Sequence, residues 1–236
     1  MAMNFKEFLN EAVDPVLDTK EKIETYIESK KKRFEGCIVA IDDDLTVNVK
    51  PPAGSSTCTV DLSGLKFSKI PLKFGKIEGS LNLSNTNITT FENAPRSSRA
   101  VIARNCKQLV SLKGVQENIN QLDVSGSTAL KSLEGVPRIV RFLSIENCTG
   151  IESLHNIHEM AGTISNFYLD GTDFKHSILG LALLKNCQMW KRWSEEKTVS
   201  DRALNILNRI MRGDNPDIFD VQAALVNAGL GRYAEL

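Results

Sequence analysis

Cysteine and histidine are the side chains of this sequence that could bind a metal or act as nucleophiles, and both are scattered. The cysteines are five in number and stand at Cys37, Cys58, Cys106, Cys148 and Cys187. They are widely spaced and form no CxxC pair. This pattern favours neither a disulfide framework nor a zinc site, and it is typical of a reducing compartment. His155 and His158 are three residues apart, but no third ligand lies near them in sequence. We therefore expect no metal and no cofactor.

Other marks of catalysis or of a charged partner are also missing. The sequence has no GxxxxGK[ST], GxGxxG, HExxH or GxSxG motif, and these motifs indicate phosphate, dinucleotide, metal or nucleophile chemistry. Its 29 Lys and Arg balance 29 Asp and Glu, without the basic surplus typical of nucleic-acid binders. The longest strongly apolar run, 178–184, is far short of the ~20 residues that cross a bilayer, and no apolar signal segment follows Met1. We expect a protein partner, no nucleic acid and no membrane.

The elements that would position a binding site follow a repeat of 21 residues. Apolar pairs recur at this spacing, at Phe67/Ile70, Ile88/Phe91, Leu109/Leu112, Leu130/Leu133 and Ile151/Leu154. Short segments that alternate between two faces accompany them, at 81–83, 101–103, 122–124, 143–145 and 167–169. Each segment predicts a β-strand. Because one repeat cannot bury its own apolar side, neighbouring repeats must stack and share a core.

Residues 119–130 and 140–151 resemble the leucine-rich repeat pattern LxxLxLxx(N/C)xxL, and 98–109 matches it with Cys106 at the N/C position. The resemblance covers roughly Val60 to Thr172. It implies an α/β, right-handed solenoid of five to six repeats with a parallel sheet on its concave side. Cys106 and Cys148 are two repeats apart, so about twice the ~4.8 Å strand spacing separates them. That is too far for a disulfide, and we expect buried thiols.

The residues that alternate with the apolar strand positions should face solvent on the concave side. They supply our candidate partner-binding residues, Arg104, Asp123, Ser125, Ser144, Glu146, Tyr168 and Asp170, and Asn82, Ser84 and Ile102 continue the face. Three acids and one tyrosine, a residue type enriched at binding hot spots, would suit a basic or mixed-charge protein. The alternative is that an exposed sheet merely needs polar cover.

Helical patterns flank the repeats. Residues 13–59 predict a helix over Thr19–Arg33 and a hairpin over Ile38–Val49, which together would cap the repeats of 60–174. Residues 175–236 predict a C-terminal helical cap: an apolar helix over Ser177–Trp193, a second helix that Ser200 caps and that stops at Gly213, and a last one from Asn215 and Pro216. We expect one capped domain and a monomer.

Residues 1–12 are a candidate cleavable leader. Met3–Ala12 resembles the short amphipathic openings of many T-even-like tailed-phage proteins, including internal capsid proteins. Those leaders are cut after Leu/Ile-x-Glu, which Leu9, Asn10 and Glu11 match, so the resemblance implies cleavage before Ala12. The repeats of SLxGxP form with a helical tail also resemble hypothetical leucine-rich proteins of such phages. The alternative for these twelve residues is a simple amphipathic helix.

The sequence thus favours a non-enzymatic leucine-rich repeat module of a tailed phage that binds a phage or host protein through its concave face. It would act in the host-cell cytoplasm or in the virion. The rival is an enzyme, since bacterial secreted effectors join similar repeats to a ubiquitin-ligase domain with a catalytic cysteine. Cys187 is the one thiol of the predicted helical tail, but the sequence Cys187-Gln188-Met189 lacks that family's Cys-x-Asp arrangement.

Overall fold

The structure, a computed structural model, describes residues 14–184, 187–190, 198–212 and 217–235. Within these residues the strands are β1 (Ile38–Ile41), β2 (Val47–Lys50), β3 (Cys58–Asp61), β4 (Phe74–Asn82), β5 (Ser97–Ile102), β6 (Asn118–Asp123), β7 (Ile139–Ser144), β8 (Thr163–Tyr168) and β9 (Gln188–Trp190). The α-helices are α1 (Lys20–Ser29), α2 (Ile157–Met160), α3 (Val199–Met211) and α4 (Ile218–Asn227). Short 3₁₀ helices cover Lys31–Phe34, Leu179–Leu183 and Gly231–Tyr233.

The strands form one sheet in the order β1-β2-β4-β5-β6-β7-β8-β9, with β3 also paired to β4. All neighbours from β4 to β9 run parallel. Leu81 lies beside Val101, Val101 beside Leu122, and Leu122 beside Leu143. The chain therefore returns to the same place about every 21 residues, which makes a parallel-sheet β-solenoid of about five turns, as the period predicts.

The repeated apolar pairs fill the interior of the solenoid. All of them, from Phe67/Ile70 to Ile151/Leu154, are at most 2% exposed. They belong to one continuous core that also includes the inward strand residues, such as Leu122 and Leu143. Burying each such side chain stabilises the fold by about 1.5–3 kcal/mol, so stacking of turns is what holds the sheet together. The predicted core is confirmed.

The turn that leaves each strand repeats one backbone conformation. The residue two places after the last inward strand residue has positive φ, at Asn85, Asn105, Gly126, Asn147 and Gly171. Glycine adopts this left-handed conformation freely, and asparagine tolerates it better than other residues. The predicted N/C position is the next residue along the chain.

At that next position a small polar side chain is buried and bonds to the preceding turn. Cys106 Sγ lies 3.2 Å from the Leu83 carbonyl oxygen, and Cys148 Sγ lies 3.2 Å from that of Val124. Ser127 makes the equivalent bond to Ala103 over 3.3 Å. Both thiols are 0% exposed and free, which confirms the prediction of buried thiols.

A helix and a hairpin precede the solenoid. Thr19 caps α1 by accepting from the Lys22 N–H, and the predicted helix breaks after Ser29 into the 3₁₀ helix of Lys31–Phe34. β1 and β2 form the antiparallel hairpin predicted for Ile38–Val49. β2 then pairs in parallel with the first half of β4, while β3 pairs with its second half.

The C-terminal part is helical, but the predicted apolar helix over Ser177–Trp193 is wrong. Leu179–Leu183 forms only a short 3₁₀ helix, and Gln188–Trp190 becomes β9 against β8. The edge of β8 exposes backbone groups that need partners, and short apolar runs do not distinguish a buried helix from a strand.

The start of the second predicted helix is also shifted. Thr198, not Ser200, caps α3, in a capping box with Asp201. Ser200 instead accepts a hydrogen bond from the Phe174 N–H over 3.1 Å. The predicted stop at Gly213 and start at Asn215 and Pro216 lie outside the described residues. Asp217 caps α4.

Candidate functional site

The outward residues of β4 to β8 stack in three rows, which we call the outer sheet face. The first row is Ser80, Ala100, Gln121, Phe142 and Asn166. The second is Asn82, Ile102, Asp123, Ser144 and Tyr168. The third, just beyond the strand ends, is Ser84, Arg104, Ser125, Glu146 and Asp170. The structure thus places all the predicted binding residues on one surface, in the second and third rows.

A hydrogen-bonded chain connects these residues across three neighbouring strands. Arg104 Nε donates to Asp123 Oδ2 over 2.6 Å. The other oxygen of Asp123, Oδ1, accepts from the Ser125 N–H (3.0 Å) and from Ser125 Oγ (2.6 Å). Ser144 Oγ lies 2.7 Å from Ser125 Oγ and 3.2 Å from Glu146 Oε2, and its single proton can be donated to either oxygen. The face is therefore an ordered polar network and not a set of independent solvated side chains.

Asp123 is the central member of this network and is itself almost inaccessible. It is 4% exposed, and both of its oxygens have partners. A buried carboxylate is tolerated when it is paired and hydrogen-bonded. Asp123 therefore orients its neighbours and is not available as a free acid for a basic partner.

A depression of about 570 Å³ opens in the outer sheet face. It is lined by small residues such as Ser80, Ala100 and Ser144 together with larger side chains such as Arg99 and Phe142. Of the predicted residues, the depression is lined by Arg104, Asp123, Ser144, Glu146 and Tyr168, whereas Ser125 and Asp170 are not part of its lining.

Several lining residues were missed by sequence reasoning, among them Arg99, Gln121 and Phe142. They lie in the two-residue gap of the LxxL pattern, where strict alternation fails. The register of β4 against β5 shifts at this point, between Ile77 and Ser80. A signal was nevertheless present, because Gln121 and Phe142 recur at the same 21-residue spacing as the core pairs.

The remaining reactive side chains do not assemble into a second site within the described part of the chain. Burial raises the pKa of the Cys187 thiol to about 12, which keeps it protonated, and a protonated thiol is a poor nucleophile. His155 and His158 are not joined by further ligands, since no group of three or more His, Cys, Asp or Glu side chains among the described residues is arranged to hold a metal ion.

The candidate processing site, Leu9, Glu11 and Ala12, lies outside the described residues. The first described residue, Asp14, is attached to the first turn of the solenoid. Its carboxylate accepts from the Ser68 N–H (2.8 Å), from Ser68 Oγ (2.6 Å) and from the Lys69 N–H (3.2 Å). The chain is thus fixed to the solenoid immediately after the candidate leader.

Comparison of this chain with protein-family models, curated proteins and solved structures finds no match. Among the described residues, no helix has both the length and the apolar character to span a membrane. The case for a function therefore depends on the solenoid and on its outer sheet face.

Proposed function

We propose that this protein is a non-enzymatic interaction module of leucine-rich repeat type that binds another protein through the outer sheet face. The observation that carries the proposal is the depression at which Arg104, Asp123, Ser144, Glu146 and Tyr168 converge. The side chains of Arg104, Asp123, Ser144 and Glu146 belong to a hydrogen-bonded network that spans three neighbouring strands. A site ordered before binding loses less conformational entropy when the partner docks.

The buried side chains that hydrogen-bond from one turn to the preceding turn support the leucine-rich repeat assignment. In this repeat pattern the N/C position follows the strand, and here Cys106, Ser127 and Cys148 occupy it and bond to the preceding turn. The connections between strands are irregular: from β4 to the end of β8 the one helix is α2, a single turn. This irregularity fits the degenerate repeats of the sequence.

We further propose that the protein belongs to a tailed phage and acts in the host-cell cytoplasm or in the virion, where its partner is a phage or host protein. The support is the resemblance of Met3–Ala12 to phage leaders. Cleavage before Ala12 would leave Asp14 and its bonds to Ser68 and Lys69 in the mature chain.

Quantitative affinity purification from infected cells tests the interaction surface. A face variant combines Glu146→Ala with Tyr168→Ala and leaves buried Asp123 and its partner Arg104 intact. A matched control combines Glu117→Ala with Lys131→Ala, two exposed residues outside the depression. A partner that is retained by the control and lost from the face variant is the expected result. Retention of every partner by the face variant contradicts the proposal.

Two further measurements test the rest of the proposal. Mass spectrometry of purified phage particles is expected to find the chain with Ala12 as its first residue, and full-length protein found in cytosol alone would contradict packaging and processing. A ubiquitin thioester that forms on the wild type and is lost in Cys187→Ala would contradict the non-enzymatic assignment.

A further inference from the structure

The guanidinium of Arg104 is held by a buried carboxylate on one side and is exposed to solvent on the other. Its Nε donates to Asp123, whose side chain is 5% exposed, while the Arg104 side chain itself is 56% exposed. No other described residue accepts a hydrogen bond from this guanidinium. The remaining donors of the guanidinium form a planar fork, and a carboxylate is the group that matches such a fork with two parallel hydrogen bonds.

Acidic groups lie at the other side of the same row. Glu146 is two strands from Arg104, and Asp170 is three strands away. At ~4.8 Å per strand these separations are about 10 and 14 Å. Asp123, in the second row, offsets part of the Arg104 charge but uses only its Nε–H. The accessible groups of the third row therefore run from the remaining N–H donors of the Arg104 cation at β5 to the carboxylates of Glu146 and Asp170 at β7 and β8.

This charge order restricts the partner, given the proposed function of protein binding. We propose that the outer sheet face recognises an extended, mixed-charge protein segment that crosses the strands, with an Asp or Glu on Arg104 and a Lys or Arg on Glu146. An extended chain advances ~3.3 Å per residue, so about three to four residues separate the two charges. This charge order belongs to the third row alone, because two exposed cations stand at equivalent positions on β5 and β7: Arg99, which lines the depression, and Arg141, whose guanidinium lies 5.2 Å from the centre of the Phe142 ring.

A polyanion fits this surface less well than a mixed-charge segment does. Two carboxylates, at Glu146 and Asp170, lie within about 14 Å of Arg104, so a chain of phosphates that crosses the row would approach them and be repelled. A uniformly basic segment is disfavoured in the same way at Arg99 and Arg104. The occupant that pairs both ends carries one charge of each sign.

Selection from a random peptide library on the immobilised full-length protein tests this inference. The expected outcome is enrichment of sequences with an acid and a base three to four residues apart. In titrations of a selected peptide, Arg104→Gln should weaken binding about tenfold, as for loss of a charge-assisted bidentate hydrogen bond. The control Lys131→Gln, an exposed cation outside the depression, should leave affinity unchanged.

Glu146→Gln provides a second, independent measurement. Its amide can still accept from Ser144 Oγ, so the network remains, but the preference for a basic residue should disappear from the selected peptides while the preference for an acid is kept. This variant tests the proposal even where Arg104→Gln unfolds the protein by leaving Asp123 unpaired.

The outcomes separate this inference from the proposed function. Peptides that bind the outer sheet face, as judged by loss of binding in Tyr168→Ala, but carry no acid and base pair would overturn the charge order alone. Peptides that bind wild type and Tyr168→Ala equally, or a library that yields no binder, would overturn both.

Discussion

At the scale of single residues, Asp123 shows how a position can be predicted while its role is not. The strand alternation correctly places it on the outer sheet face, among acids that would attract a basic partner. The structure instead gives both of its oxygens to Arg104 and Ser125. Which residues pair depends on which ones the neighbouring turns bring side by side. Arg104 and Asp123 are 19 positions apart, and nothing in the sequence around either residue indicates that they form an ion pair.

Because its thiol is buried, Cys148 should lower the stability of the protein as the pH becomes alkaline. Burial raises its pKa to about 11 in the folded state, from a value of 9.0 for the free group. Below pH 9 both states are protonated and the contribution is complete. Between about pH 9 and 11 only the unfolded state releases the proton, so the free energy of unfolding falls by about 1 kcal/mol per pH unit from this thiol.

Cys148→Ser isolates that contribution, because Ser127 already makes the equivalent hydrogen bond one turn earlier. Urea unfolding at several pH values should show a decline above pH 9 that is shallower in Cys148→Ser than in wild type by about 1 kcal/mol per pH unit. The two proteins should have parallel curves below pH 8. Equal slopes above pH 9 would show that this thiol does not titrate as its burial requires.

At the scale of elements, the turns that follow the apolar pairs depend on close contact between successive repeats. Gly135 has φ of +87°, and a Cβ atom there would lie 2.5 Å from the Lys113 amide nitrogen of the preceding turn. Gly54 has nearly the same φ, +89°, but a Cβ there would meet no atom within 4 Å. The two glycines therefore have nearly the same φ but differ in how closely other atoms pack against them.

Alanine at these two positions separates strain from packing. Gly54→Ala should cost about 1–2 kcal/mol, the penalty of a left-handed conformation in an L-residue. Gly135→Ala should cost about 1–3 kcal/mol more, because the added methyl overpacks the contact between turns. Chemical denaturation of both variants measures the difference. Equal losses of unfolding free energy in the two variants would mean that the turns can move apart to accommodate the methyl group without losing stability.

The same elements show where sequence reasoning succeeds and where it stops. The 21-residue period predicts the strands and the core because stacking requires the same apolar positions in every turn. It does not predict β9, since a segment as short as Gln188–Trp190 has no period that separates helix from strand. It also misses Arg99 and Phe142, because both lie in the two-residue gap of the LxxL pattern, where alternation fails. At Arg99 the register of β4 against β5 also shifts, between Ile77 and Ser80.

At the scale of the whole molecule, Tyr233 is one of the buried side chains that join the C-terminal helical part to the last turns of the solenoid. Tyr233 is 0% exposed, and its hydroxyl donates to the Phe174 carbonyl oxygen over 3.0 Å. The Ile178 N–H donates to the Tyr233 carbonyl oxygen over 3.3 Å. In a solenoid each turn contacts mainly its neighbours, so a defect here should spread only a short way along the sheet.

Tyr233→Phe tests that locality, since it leaves the buried Phe174 carbonyl without its partner at a cost of about 1–3 kcal/mol. Hydrogen exchange should show the largest loss of protection in residues 163–184 and the smallest in 58–102. Phe219→Ala, which truncates an aromatic side chain that is 62% exposed, should change stability by no more than about 0.5 kcal/mol. An equal loss of protection from β3 to β8 would instead show that the turns unfold as one cooperative unit, because nearest-neighbour coupling would then extend over the entire sheet.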